Sequence, residues 1–268
     1  MTKLKVAAIQ MTSTPNWQEN LATAGKLVGD AATNGAQLIV LPEFFIRIGN
    51  SSLDYMLEIA EEIGVGKIQD YLKNLAAKYN VFLVAGTIPI RSKSTKKCYN
   101  TTIVYNNLGE IICYYNKVHL FKIDHLQHQI DESSYFQHGK DIVTFNYGKF
   151  SFGLAICYDL RFPELFREMT GVDAIIIPAA FTYYTGQFHW EVLLRARAIE
   201  NQCYVIAAAQ TGTHQNGRQT FGHSMIIDPW GNVDEVLADG EGAAIATIDK
   251  NRIEQIRSEL PALQNRQL

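Results

Sequence analysis

The order of patterns along the chain predicts an α/β fold, an α-β-β-α sandwich with two mixed sheets stacked face to face under outer helices. Three observations carry this expectation. Apolar strand-like runs alternate with helix-period segments at both ends of the sequence. The middle is instead a series of strands separated by glycine-containing turns. No linker, low-complexity tract or internal repeat divides the chain, so one domain over residues 1–268 is expected.

Lys5–Met11 (KVAAIQM) reads as the first strand. Asn16 followed by Glu19 has the form of an N-cap with its N3 partner, and Leu21, Ala24, Val28, Ala31 and Ala32 then share one helical face. Asn34-Gly35 supplies the stop. Gln37–Leu41 (QLIVL) suits a short strand buried on both faces. A helix around Lys67–Tyr79 precedes another apolar strand, Val81–Thr87. Thr101–Tyr105 and Ile111–Tyr115 flank the turn Asn107-Leu108-Gly109-Glu110, and Ile142–Phe145 and Phe150–Ile156 flank Asn146-Tyr147-Gly148-Lys149, so both pairs read as hairpins. Alternation then returns: strand Ala174–Ile177, helix Phe188–Asn201, strands Tyr204–Ala209, Ser224–Ile227 and Ala244–Ile248, and a closing helix Asn251–Leu260.

Composition narrows the function classes. The 24 basic and 27 acidic residues leave a formal charge of -3, without the basic excess that a nucleic-acid partner requires. No apolar run reaches the ~18 residues that span a bilayer, and Met1–Val6 has no apolar h-region. A cytoplasmic protein with no membrane or nucleic-acid partner is expected. Cys98, Cys113, Cys157 and Cys203 form no C-x-x-C pair and are expected as free thiols.

Three apolar strands end on reactive side chains: Ile39-Val40-Leu41-Pro42 on Glu43, Ile112-Cys113-Tyr114-Tyr115-Asn116 on Lys117, and Phe152-Gly153-Leu154-Ala155-Ile156 on Cys157. Functional groups in α/β sheets often stand just beyond strand ends. Each residue also has an ordinary structural reading: a packed thiol, a helix-starting Pro-Glu, a solvated lysine. Together they suit acyl transfer. A thiol needs a base to become a nucleophile, and Glu43 can serve. The tetrahedral oxyanion needs fixed donors; Lys117 can be one and the backbone N–H of Tyr158 a second. A cation beside Cys157 is also expected to lower its pKa.

The local strings sharpen this reading. They are Leu41-Pro42-Glu43-Phe44, Asn116-Lys117-Val118-His119-Leu120-Phe121, and Gly153-Leu154-Ala155-Ile156-Cys157-Tyr158-Asp159-Leu160-Arg161-Phe162-Pro163-Glu164. In this order they resemble the three signature motifs of the nitrilase, or carbon–nitrogen hydrolase, superfamily, and the likeness runs from Val6-Ala7-Ala8-Ile9-Gln10 to the terminal helix. The resemblance implies Glu43 as base, Lys117 as oxyanion stabiliser and Cys157 as nucleophile. It also implies the α-β-β-α sandwich, a homodimer or larger homo-oligomer, and no metal or organic cofactor. Glu132, in Asp131-Glu132-Ser133, matches the second active-site glutamate. His119, His125 and His128 near Asp124, Asp131 and Glu132 raise a metal site as an alternative, but their spacing fits no standard ligand motif. Gly64-Val65-Gly66-Lys67 lacks the P-loop spacing, and no G-x-S-x-G elbow occurs.

His189–Val205, Gly222-His223-Ser224-Met225 and Asp228-Pro229-Trp230-Gly231 look like the Nit branch of the superfamily, whose members act on small ω-amides. Within it, the R-A-R-A-I-E-x-Q-C-Y-V string and the D-P-W-G turn resemble amidases of deaminated glutathione more than ω-amidases of α-ketoglutaramate. The small-molecule amide expected as substrate carries carboxylates. Arg161 is placed to reach its keto-acid end, unless it pairs with Asp159 or Glu164, and Phe181 and Thr182 can line the opposite wall. An ω-amidase, a nitrilase and a catalytically silent scaffold on the same fold remain the alternatives.

Overall fold

The computed structural model describes residues 2–125 and 128–267, with the backbone alone at positions 125 and 128. In chain order the elements are β1 (Lys3–Gln10), α1 (Trp17–Thr33), β2 (Leu38–Val40), α2 (Leu53–Ile59), α3 (Lys67–Tyr79), β3 (Phe82–Val84), β4 (Ile88–Arg91), β5 (Cys98–Tyr105), β6 (Ile111–Asn116), β7 (Lys122–His125), β8 (His128–Asp131), β9 (Thr144–Tyr147) and β10 (Phe150–Leu154). There follow α4 (Pro163–Glu168), β11 (Ala174–Ala179), α5 (Tyr183–Asn201), β12 (Tyr204–Ala209), β13 (Thr211–Thr213), β14 (Gln219–Phe221), β15 (Ser224–Ile227), β16 (Val233–Leu237), β17 (Gly242–Asp249) and α6 (Lys250–Glu259).

Two mixed sheets carry the architecture. One runs β17-β1-β2-β3-β5-β4 with β6 added on β5, and the other runs β16-β15-β12-β11-β10-β9. β1, β2 and β3 pair in parallel, as do β10, β11 and β12, and antiparallel strands flank each parallel centre. Side chains alternate across a strand with period two. Along β1, Leu4, Val6 and Ala8 enter the core shared with the second sheet, while Ala7 and Ile9 face the layer built from α1 and α3. β2 and β3 repeat this: Leu38, Val40, Phe82 and Val84 point inward, Ile39 and Leu83 outward. A strand buried on both faces must be apolar throughout, which is why these segments read as continuous runs. On the far side, α5 lays Trp190, Leu194 and Ala198 against the second sheet.

Local chemistry sets the ends. Asn16 caps α1, accepting from the N–H groups of Gln18 and Glu19, and its amide donates to Glu19 Oε1 at 2.8 Å. α5 begins at Tyr183, earlier than the expected Phe188, because Thr182 is its N-cap. Exposed Tyr183 and Phe188 hide the helical period there. The expected strand Val81–Thr87 is shortened to β3, which ends at Val84 before the turn at Gly86, where φ is +46°, and β4 starts only beyond it. The hairpins β7/β8 and β13/β14 and the strand β16 go beyond the sequence reading.

Candidate active site

Glu43 stands just past β2, on the turn after Pro42. Gly86 packs on this turn: a Cβ there would lie 2.2 Å from the Pro42 carbonyl oxygen, so the two segments approach this closely only at glycine. Phe44, at φ +54°, donates its N–H to Thr87 Oγ1 at 2.9 Å and fixes the turn. The Glu43 carboxylate is buried and fully engaged. Oε1 accepts from Lys117 Nζ at 2.7 Å and from Asn100 Nδ2 at 2.9 Å, and Oε2 accepts from the Ala180 N–H at 3.0 Å.

Lys117 follows β6. Its N–H donates to the Asn100 carbonyl and its own carbonyl accepts from Gly139 N–H, so the backbone is held on both sides. Its ammonium has no solvent exposure and also donates to Glu132 Oε2 at 2.9 Å. That oxygen accepts a further bond from Phe121 N–H at 2.8 Å. Charge-assisted bonds of this kind are short and directional.

Cys157 follows β10 and opens a short 3₁₀ turn, Cys157–Arg161, with φ at +47°. Backbone strain in the left-handed region persists only where the surroundings impose it. Asp159 supplies the restraint. Its Oδ2 accepts from Ile156 N–H at 2.9 Å and Tyr115 Oη at 2.8 Å, and its Oδ1 from His119 N–H at 2.9 Å. One buried carboxylate therefore ties the cysteine turn to the segment that carries Lys117. Asp159 is not the surface partner of Arg161 that the sequence allowed.

Burial and charge set the protonation states. Burial alone would push the Lys117 ammonium down, but Glu132, Glu43 and the Cys157 site together lift it well above the usual lysine range. Glu132 is raised above the ordinary carboxylate value, chiefly by desolvation, with Lys117 opposing and Glu43 adding to the rise. The Cys157 thiol is raised well above its ordinary value, first by burial and then by the charge of Glu43, while Lys117 pulls it down. The expected lowering by Lys117 is present, but the net shift of the thiol is upward. The cation beside the sulfur is outweighed by desolvation and an adjacent carboxylate, which together favour the neutral thiol.

A cavity opens onto this cluster and is bounded by Glu43, Glu132, Cys157 and Ala180. Tyr158, Arg161, Phe181 and Thr182 line it, so of the residues expected to act on or bind the amide only fully buried Lys117 does not reach its wall. Arg161 makes no ion pair with Asp159 or Glu164; its Nη1 lies 3.2 Å from His189 Nδ1 and its guanidinium 5.2 Å from the Phe181 ring centre. Thr185 and Arg218 also line the cavity and escaped the sequence reading, as did Asn100. Asn100 left one signal, an amide inside the apolar strand CYNTTIVY; Arg218, in a polar loop, left none.

His119 Nδ1 lies 2.8 Å from Asp159 Oδ1 and its ring stacks on Phe162 at 3.7 Å, so it is occupied structurally. The side chains of His125 and His128 lie outside the described residues. Among the described residues, no group of three or more His, Cys, Asp or Glu side chains could hold a metal ion. All four cysteines are free, and burial pushes Cys98 to about 11 and Cys113 and Cys203 to about 12. Among the described residues, no helix is long and apolar enough to cross a membrane.

Residues 5–258 match the family model described as Carbon-nitrogen hydrolase. The chain belongs to the carbon–nitrogen hydrolase family. This carbon–nitrogen hydrolase is 42% identical to the deaminated glutathione amidase of Synechocystis, over 97% of each chain. Among solved structures it is similar to Saccharomyces cerevisiae Nit3, a member of branch 10 of the nitrilase superfamily, with 33% identity, a TM-score of 0.90, and 100% of this chain and 97% of that one covered. It also matches the Caenorhabditis elegans NitFhit protein with 33% identity and a TM-score of 0.89, all of this chain covering 66% of that longer one. The stacked sheets and outer helices are thus the sandwich of the family.

Proposed function

We propose that this protein hydrolyses the amide of deaminated glutathione, releasing 2-oxoglutarate and Cys-Gly, through a thioester on Cys157. The observation that carries this reading is the convergence of Glu43, Lys117, Glu132 and Cys157, from four separate chain segments, on one buried cluster beside a cavity that also holds arginine. The similarity to deaminated glutathione amidases supports the choice of substrate.

In this reading Glu43 accepts the thiol proton as Cys157 Sγ bonds to the amide carbon. The oxyanion takes hydrogen bonds from Lys117 Nζ and the backbone N–H of Tyr158. Glu43 returns the proton to the amine nitrogen, the C–N bond breaks and Cys-Gly departs. Water then attacks the thioester, giving its proton to Glu43, and the thiolate leaves and is reprotonated as 2-oxoglutarate is freed. Glu132 holds Lys117 in place and assists proton transfer to the departing amine. Arg161, Phe181 and Thr182 receive the keto-acid half. Four free cysteines and the similarity above suit a reducing, cytoplasmic setting. The exposed apolar stripe Phe188, Val192 and Ile199 on α5, with Trp230 beside it, suits a joint between two copies.

The test is kcat/KM for deaminated glutathione, α-ketoglutaramate, succinamate and a simple nitrile. Deaminated glutathione is expected to be preferred, and Cys157→Ala to abolish its turnover while keeping the native unfolding transition. Preference for α-ketoglutaramate moves the enzyme to the ω-amidases. Normal turnover by Cys157→Ala removes the mechanism.

A further inference from the structure

The catalytic cavity is walled by Glu43, Cys157, Arg161, Phe181, Thr182 and Arg218. A second, open cavity lies beside it, and Thr182 and Arg218 line both. Arg218 is therefore the cation at the junction. Its backbone lies in the turn that closes the hairpin β13/β14, where its N–H donates to Asn216 Oδ1 at 3.1 Å. Its Nη2 donates to the Ala180 carbonyl at 2.8 Å, and the Ala180 N–H on the other side of that residue holds Glu43. The guanidinium is thus anchored one residue from the catalytic cluster. No carboxylate lies within ion-pair distance of Arg218 among the described residues, and its buried Nε has no hydrogen-bond partner there. A buried guanidinium donor without a partner is costly, and a carboxylate ligand repairs this with parallel hydrogen bonds.

We infer that Arg218 binds the terminal carboxylate of the dipeptide leaving group, so that Arg161 and Arg218 read the two ends of a dianionic substrate across the scissile amide. This rests on the function proposed above and adds to it a division of labour: Arg161 for the acyl half, Arg218 for the amine half. The amine half extends through the junction into the outer cavity, where Asn216, Gln219 and Gln187 offer further polar groups. An amide whose leaving group is ammonia has nothing to place there.

The experiment compares wild type, Arg218→Met and Arg218→Lys on three substrates: deaminated glutathione, its C-terminal amide, and α-ketoglutaramate. Wild-type turnover of deaminated glutathione tests the function proposed above on its own. Given that turnover, Arg218→Met should raise KM for deaminated glutathione about tenfold or more, with kcat changed less than threefold. The same variant should leave KM for the C-terminal amide and for α-ketoglutaramate within twofold of wild type. Arg218→Lys should recover part of the loss, since it keeps the charge but not the fork. Equal losses on all three substrates would assign Arg218 to a structural clamp on Ala180 and overturn the inference. Unchanged KM for deaminated glutathione would overturn it as well.

Discussion

Lys117 is the most exposed test of the site because it is the least exposed cation in it. Its ammonium has 0% side-chain exposure and lies 2.7 Å from one carboxylate and 2.9 Å from another. Lys117→Met keeps the stem and removes the charge. Breaking a buried ion pair by deleting one partner costs about 3–5 kcal/mol, because the remaining charge stays desolvated; here two carboxylates lose their common cation. That is a large share of the ~5–15 kcal/mol that holds a domain folded. Loss of an oxyanion donor should slow acylation by roughly 10²–10³-fold. Adding Glu132→Gln to Lys117→Met removes one of the stranded carboxylates, so the double variant should recover about 1–3 kcal/mol in stability while acylation stays slow. Urea denaturation and single-turnover thioester formation read the two quantities separately. Additive losses of stability in the double variant would refute the shared-cation geometry, and near-wild-type acylation by Lys117→Met would refute the donor role. Glu132 also sets a pH slope. Its raised pKa makes the folded state bind more protons than the unfolded state above the ordinary value of 4.5, so stability falls as pH rises through that window. Glu132→Gln should flatten this slope.

Three further outcomes follow from the same geometry. Glu43→Gln removes a charge that lifts the Cys157 pKa, so the pH midpoint for alkylation of Cys157 by a small neutral reagent should fall while turnover is lost; an unmoved midpoint would separate the two side chains electrostatically. His214 is buried between Ser13 and Thr220 and its pKa is lowered by desolvation from 6.5 to about 4, so the unfolded state binds more protons between these values. Its contribution of about 3 kcal/mol is complete above pH 6.5 and lost as pH falls through 4. His214→Gln should therefore shrink the acid slope of stability, and an identical slope would exclude this residue as its source. Gly86→Ala forces a Cβ to within 2.2 Å of the Pro42 carbonyl oxygen at positive φ, a cost of roughly 2–4 kcal/mol. It should lower both the denaturation midpoint and kcat, because the displaced turn carries Glu43; unchanged kcat would show that the turn absorbs the shift elsewhere.

Much of this molecule is legible one segment at a time. The apolar run around Ile39 announces a strand with both faces covered, because each of its side chains must leave water whichever way it points. The Asn16/Glu19 pair fixes a helix start through a bond reaching only three residues. Glu43, Lys117 and Cys157 are visible because reactive groups at the ends of apolar strands need a reason to be there, and three such ends in one chain share one. Short polar hairpins such as Lys122–His125 with His128–Asp131 are hidden, since no burial pattern marks them.

What the sequence determined by itself is therefore the long apolar strands and helices and the three reactive side chains, Glu43, Lys117 and Cys157, at strand ends. These depend on local periodicity and on residue type. Only the tertiary structure decided how the groups are charged and what surrounds them. The Cys157 thiol is raised rather than lowered because the balance among burial, Glu43 and Lys117 depends on distances of a few ångströms between segments far apart in the chain. Asp159 links the Cys157 turn to His119 and Tyr115, and Arg218 reaches the Ala180 carbonyl across 38 positions of sequence. A hydrogen bond needs donor and acceptor within about 3.2 Å and a Coulombic energy grows as the charges approach, so these partners exist only once the two sheets have brought them together.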